Sequence, residues 1–478
     1  MKFHFVDNHE ANSPGNRKAI RRHVMKGKNL GRTIQGRGRK HASPHEGDFF
    51  GDLHRDSKTY ERIRLDLEVK DDAVFDRDGN PLIFPEIVPI DSSLSSPFAG
   101  SEYTYFAFPV QFTPSMRYMV YQFHSAVCDA IYPLSFCRPT DELGAPWFRY
   151  MVSDQAFLHC LLAMVATYIN LFRKPDCEPL EATRHFSQTL RLISHKLSQP
   201  TPPQESTLAI IVSLAIHSKL VRDLTGCAMH LDGLQRLLDL RSGGISELRE
   251  SNRSLLHKIC RTDIEISITQ GTRTRWGAIG LTAAAAGPIG SRALTYPMNQ
   301  MRETLRQMTR ETLALCRRPG RAKMSGLQYQ DVLISLLQRL LDFAPLGGAR
   351  PLDMLDDVWQ LSLLAFIGTV MWPTGFLRGI NCELLHKVFK EKIENDVLLD
   401  RGEDYRPLWL WVMFIYTLSL SDRNPDDRPL SKIRETVKEL KIETWEEVKV
   451  KFRPFPWIGV VHDPTGKALW EAVEGLSG

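Results

Sequence analysis

The eight cysteines of this chain include no CxxC pair, standing instead at 128, 137, 160, 177, 227, 260, 316 and 382. No Cys/His cluster with metal-ligand spacing is present either, which argues against a zinc ribbon or finger, and no metal or other cofactor is expected. Thiols scattered through apolar helical patterns read as buried groups of a reducing compartment. Catalytic signatures are missing as well: there is no GxSxG elbow, HExxH pair, Walker phosphate loop or kinase set. The opening MKFHFVDNHE turns polar within seven residues, so no secretory signal is expected. Two long uncharged stretches, 358–377 and 407–421, could be mistaken for membrane spans. The first is interrupted by Gln360, Ser362, Pro373 and Thr374, and the second is too short to span a bilayer. Both are expected to be buried core helices, with no membrane partner.

Acidic residues are absent between Arg17 and Lys40, and that gap is informative. The same interval holds ten cations: Arg17, Lys18, Arg21, Arg22, Lys26, Lys28, Arg32, Arg37, Arg39 and Lys40. The whole chain carries +5, so with +10 in this arm the remainder carries −5. Such a run neutralises phosphates and releases counterions, and basic clusters of this kind also serve as nuclear-import signals. The run lacks the aromatic side chains that stack single-stranded bases. With few large apolar residues, positions 1–58 are expected to form a disordered basic arm.

Proline then sets the texture of 59–149, with prolines at 81, 85, 89, 97, 109, 114, 133, 139 and 146. That spacing predicts an extended, mixed, wrapping segment, with one helix over 115–131. From 150 to 478 the pattern becomes helical. Phe157, Leu161, Met164, Val165, Tyr168 and Phe172 recur at three- and four-residue spacing. The next apolar faces are Phe186, Leu190, Ile193, Leu197, then Leu208, Ile211, Val212, Ala215, Ile216, then Cys227, Leu231, Leu234, Leu238. Short turns between them predict antiparallel hairpins. Further helices are predicted over 298–316, 328–343, 354–372, 382–396, 407–421 and 430–440, with 445–470 forming a Trp-rich cap. The fold class is therefore all-α: stacked antiparallel helical hairpins forming one large body.

Two fragments imitate enzyme motifs. Asp71, Asp72 and Asp76 resemble a magnesium-binding aspartate motif of prenyl-diphosphate enzymes, and Asn395, Asp396 and Glu403 resemble the second metal motif. Leu399 occupies an oxygen-ligand position, Arg401-Gly402 breaks the helix, and Asp76 runs into a turn at Asp78-Gly79-Asn80-Pro81. A metal-dependent enzyme is thus the third choice. His217, His230 and His257 sit singly in helical patterns, where histidine is expected to be a hydrogen-bonded structural group.

The centre reads Asp154-Gln-Ala-Phe-Leu-His-Cys-Leu-Leu-Ala163 and Thr207-Leu-Ala-Ile-Ile-Val-Ser-Leu214. It continues as Ala228-Met-His230-Leu-Asp-Gly233-Leu234, Leu240-Arg241-Ser-Gly243-Gly244 and Asp263. These pieces resemble the fungal-specific transcription factor domain, the helical body found behind zinc binuclear cluster modules. Phe5-Val-Asp, Arg21-Arg-His23-Val24 and the basic run resemble a fungal group that carries this body without the zinc module. The motif residues His230, Gly233, Leu234, Arg241, Gly243, Gly244 and Asp263 are expected to be structural. Gly233 would let two helices approach, Gly243-Gly244 would end a helix, and His230 would fasten the turn by a hydrogen bond. Without the six-cysteine cluster there is no zinc-held helix for major-groove reading.

The resemblance implies a nuclear transcription regulator, not an enzyme, acting through protein partners or as a homodimer. Nucleic-acid contact would come from the arm, and no small-molecule effector is identified. The alternative is an interaction scaffold that does not bind DNA.

Overall fold

In the computed structural model the described residues are 106–123, 136–137, 145–172, 180–200, 202–277, 294–316, 323–371, 383–395, 398–420 and 427–475. The chain divides into two compact units, Met1–Glu61 and Arg62–Gly478. All described residues belong to the second, so the expectations for the basic arm and for Asp71, Asp72, Asp76 and Asp396 fall outside them.

The described residues form helices and no strand; Cys137 and Met324 make one isolated bridge. In chain order the helices are α1 Pro114–Gln122, α2 Ala145–Ser153, α3 Gln155–Phe172, α4 Leu180–Leu197, α5 Glu205–Leu220, α6 Leu224–Asp239, α7 Gly244–Ser251 and α8 Arg253–Gln270. They continue as α9 Glu303–Cys316, α10 Gly326–Phe343, α11 Met354–Met371, α12 Glu383–Glu394, α13 Arg406–Leu420, α14 Asp427–Glu439, α15 Trp445–Phe452 and α16 Gly459–Gly475. The predicted pairing of neighbours appears as hairpins, with α3 against α4 and α5 against α6.

Local chemistry explains the boundaries. Thr113 accepts the Met116 N–H at 3.2 Å, and Pro114 opens α1, where its missing N–H costs nothing. Asp223 accepts Gly226 N–H at 2.8 Å to start α6, and Asn252 accepts Leu255 N–H at 3.1 Å to start α8. Gly271, at φ +73°, ends α8 in the left-handed region; a Cβ there would lie 2.6 Å from the Gly347 backbone nitrogen. Reciprocal capping boxes open α10 (Ser325 with Gln328) and α15 (Thr444 with Glu447).

Two helices form the centre. α11 and α13 pack on each other, and Leu408 to Ile415 are each 0% exposed. By length and composition α11 passes as a bilayer span, but 83% of it is buried inside the protein. Its buried polar groups confirm a core helix. Trp359 Nε1 donates to Thr309 Oγ1 at 2.7 Å, and Gln360 donates to the Leu340 and Ala344 carbonyls at 3.0 Å.

One sequence expectation is corrected. The helix placed over 298–316 begins only at Glu303, after a 3-10 turn at Met298–Gln300. Asp356 of α11 draws the Arg302 N–H at 3.0 Å and its guanidinium at 3.1 Å, holding the entry chain off the helical path. The Trp-rich 445–470 stretch contains helix α15 and most of α16, because Pro454 and Pro456 fall between them. Its rings pack on α13, with Phe414 against Phe452 and Trp457, and Trp411 donating to the Pro456 carbonyl at 2.8 Å.

Candidate functional site

The motif residues of the sequence converge on the region where α5, α6, α7 and α8 meet. Leu234 is wholly buried, on the inner face of α6 with Cys227, Leu231 and Leu238. Arg241 pairs with Glu247 of α7 at 3.0 Å and donates to the Pro203 carbonyl before α5 at 3.2 Å. One guanidinium therefore ties the end of α6 to the starts of two other helices. Gly243 precedes α7 and Gly244 takes φ +54°, so the Gly-Gly pair turns the chain between helices.

Asp263 is the most constrained of these groups. Its carboxylate is 0% exposed and accepts the backbone N–H of Arg275 at 2.7 Å and of Trp276 at 3.3 Å. The Arg275 guanidinium donates to it at 3.2 Å and to Asp232 of α6 at 2.9 Å. Burial pushes the Asp263 pKa up to about 6, against the pull of those donors. This clamp fixes the chain leaving α8 to the flank of α6.

Gly233 and His230 depart from their expected roles. A Cβ on Gly233 would meet nothing within 4 Å, so this glycine does not admit a neighbouring helix of the described body. The reason is orientation: the Gly233 position lies on the half-exposed flank of α6, not on the inner row of Leu231, Leu234 and Leu238. His230 makes no hydrogen bond with a described residue. It stands half-buried near His217, its pKa lowered by desolvation.

Several partnerships went unread in the sequence. Tyr150 donates to Glu205 at 2.9 Å, and Asn252 donates to both, at 2.6 and 2.8 Å. Asp331 of α10 takes the His257 ring at 2.6 Å and pairs with Arg253. Burial, then Arg253 and Arg261, drives the His257 pKa down to about 3, so the ring is neutral. Lys219 and Glu265 form a buried ion pair. Lys258 donates to Ser213 at 2.8 Å and lies 4.5 Å over the Trp147 ring, with its pKa lowered by burial to about 8. His159 and His185 meet through their Nδ1 atoms at 2.8 Å. A charged residue inside an apolar run, such as Asp331 before Val-Leu-Ile-Ser-Leu-Leu, was the available signal, since a buried charge demands a partner.

These groups are occupied with one another and join helices. Among the described residues no three His, Cys, Asp or Glu side chains come together as a metal site requires. The buried thiols are inert: burial lifts Cys137 and Cys160 to about 12 and Cys227 to about 11. Of the second metal motif, Asn395 donates to the Glu391 carbonyl at 2.7 Å and Glu403 pairs with Arg406 at 2.9 Å. Leu399 packs against the core.

Residues 120–348, from α1 to just beyond α10, match the model of a family described as the fungal specific transcription factor domain. No curated protein and no solved structure matches the chain.

Proposed function

Since the chain carries the fungal specific transcription factor domain over residues 120–348, we propose that it is a nuclear transcription regulator whose helical body binds protein partners and whose basic arm supplies the nuclear address. The domain match carries this reading. The family argues for a non-catalytic role and for the nucleus. The ten cations between Arg17 and Lys40 support import and sequence-tolerant contact with phosphates. With no CxxC pair in the chain, sequence-selective DNA reading belongs to a partner rather than to a zinc-held helix of this protein.

Fusing residues 1–45 to a fluorescent reporter tests the address: nuclear accumulation is expected, and a diffuse cytoplasmic signal would overturn it. Chromatin occupancy with and without residues 17–40 tests the regulatory role. Occupancy that depends on a partner and falls when residues 17–40 are removed is expected, whereas none in either form favours the scaffold reading. Binding of the full chain to duplex DNA should weaken steeply with salt; a slope near zero removes the arm as a phosphate binder.

A further inference from the structure

We propose that the outer face of α6 is a docking surface for a second copy of this chain, with the two α6 helices crossing at Gly233. This rests on the partner-binding reading of the body and is independent of the nuclear address.

The inner side of α6 is spent inside the protein, where Cys227, Leu231, Leu234 and Leu238 are all 0% exposed. The helix packs there on α5, α7 and α8. The outer side holds a different row. Met229 is 56% exposed, Leu240 is 78% exposed and Leu237 is half-buried. At helical spacing, 229, 233, 237 and 240 line one face. Gly233 thus sits in a row of large apolar side chains and leaves a notch in it.

That glycine has no internal reason to be one. Its φ is not in the left-handed region, and among the described residues nothing lies within 4 Å of where its Cβ would be. Glycine inside a helix weakens it relative to alanine. What the missing side chain does provide is a flat place between Met229 and Leu237 where a second helix backbone can come close.

Charge selects the occupant. Arg236 and Asp239 are exposed on this helix and make no ion pair with a described residue. Asp232, already bonded to Arg275 on one side, keeps a side chain that is 58% exposed. A nucleic acid would be drawn by Arg236 and repelled by the two carboxylates. A face carrying both signs is instead complementary to itself. About a two-fold axis through Gly233, antiparallel α6 helices set Met229 of one copy against Leu237 of the other. The same symmetry brings Arg236 of each within reach of Asp232 of the other, satisfying both charges twice. A single helix crossing buries less than the roughly 800 Å² per partner of a standard interface, so the dimer is weak and concentration-dependent.

Sedimentation of the purified full chain from about 1 to 100 µM reads it directly. A monomer–dimer equilibrium is expected, weakened about tenfold by Arg236→Asp, which sets like charges against each other across the axis. Gly233→Ala is the discriminating variant. It should raise the melting temperature of the monomer while weakening association, a pairing that general destabilisation does not produce. A monomer throughout the range, or a dimer indifferent to either substitution, overturns the proposal. Because the readout is self-association in vitro, its failure leaves the nuclear reporter result standing.

Discussion

Asp263 shows how much one side chain can decide in this protein. Its carboxylate is 0% exposed and takes three donors from Arg275 and Trp276, so replacement by alanine leaves the guanidinium without one of its two carboxylates. Asp263→Ala should cost about 3–5 kcal/mol, the range for breaking a buried pair, measured by urea denaturation. Glycines offer a contrast in sign. Gly271→Ala forces a side chain into φ +73° and against the Gly347 backbone, and should destabilise by at least about 2 kcal/mol. Gly233→Ala, in open space on a helix, should stabilise by about 0.5–1 kcal/mol. Both were visible as glycines in the sequence; only the surroundings separate them.

Helices here are held by their ends as much as by their faces. The Ser325–Gln328 box supplies α10 with two satisfied backbone N–H groups, so Ser325→Ala should cost about 1 kcal/mol in a thermal melt. α11 depends on its buried polar contacts. Thr309→Val would leave the Trp359 indole N–H unpaired in the core and should cost about 1–3 kcal/mol, more than a surface Thr→Val. Periodicity made α3 to α6 and the six later helices legible, because an amphipathic face repeats in the chain itself. The start of α9 was not legible, since Asp356, more than fifty residues away, sets where the chain turns helical. α15 and α16 were obscured by three nearby prolines, although the Thr444–Glu447 box was a readable start signal.

Across the whole molecule, buried histidines set the response to acid. His185 and His462 are held near pKa 4 and His257 near 3, each chiefly by burial. Their folded values lie below the ordinary imidazole value, so the unfolded chain binds protons first as pH falls. The stability they contribute is full above about pH 6.5 and is lost as pH drops from there toward about 4. Asp263 acts oppositely: raised to about 6, it contributes below the ordinary carboxylate range and loses that contribution as pH rises through about 6. His217, also held near 4, joins the three histidines, and together they outweigh Asp263, so the urea midpoint should fall between about pH 7 and pH 5. His462→Gln should flatten that dependence, because the amide can still meet Thr369 yet cannot titrate.

The sequence by itself determined that the body is helical, where most helices run and which faces turn inward, because those properties are written in local spacing and caps. It also placed the cationic arm and the family motif, which are matters of composition and order. Tertiary structure alone decided what the motif residues touch: that Asp263 grips Arg275, that Arg241 joins three elements, and that Gly233 faces outward. Those outcomes depend on which side of α6 meets α5 and α8, and a helix presents every side to its own sequence until packing buries one of them.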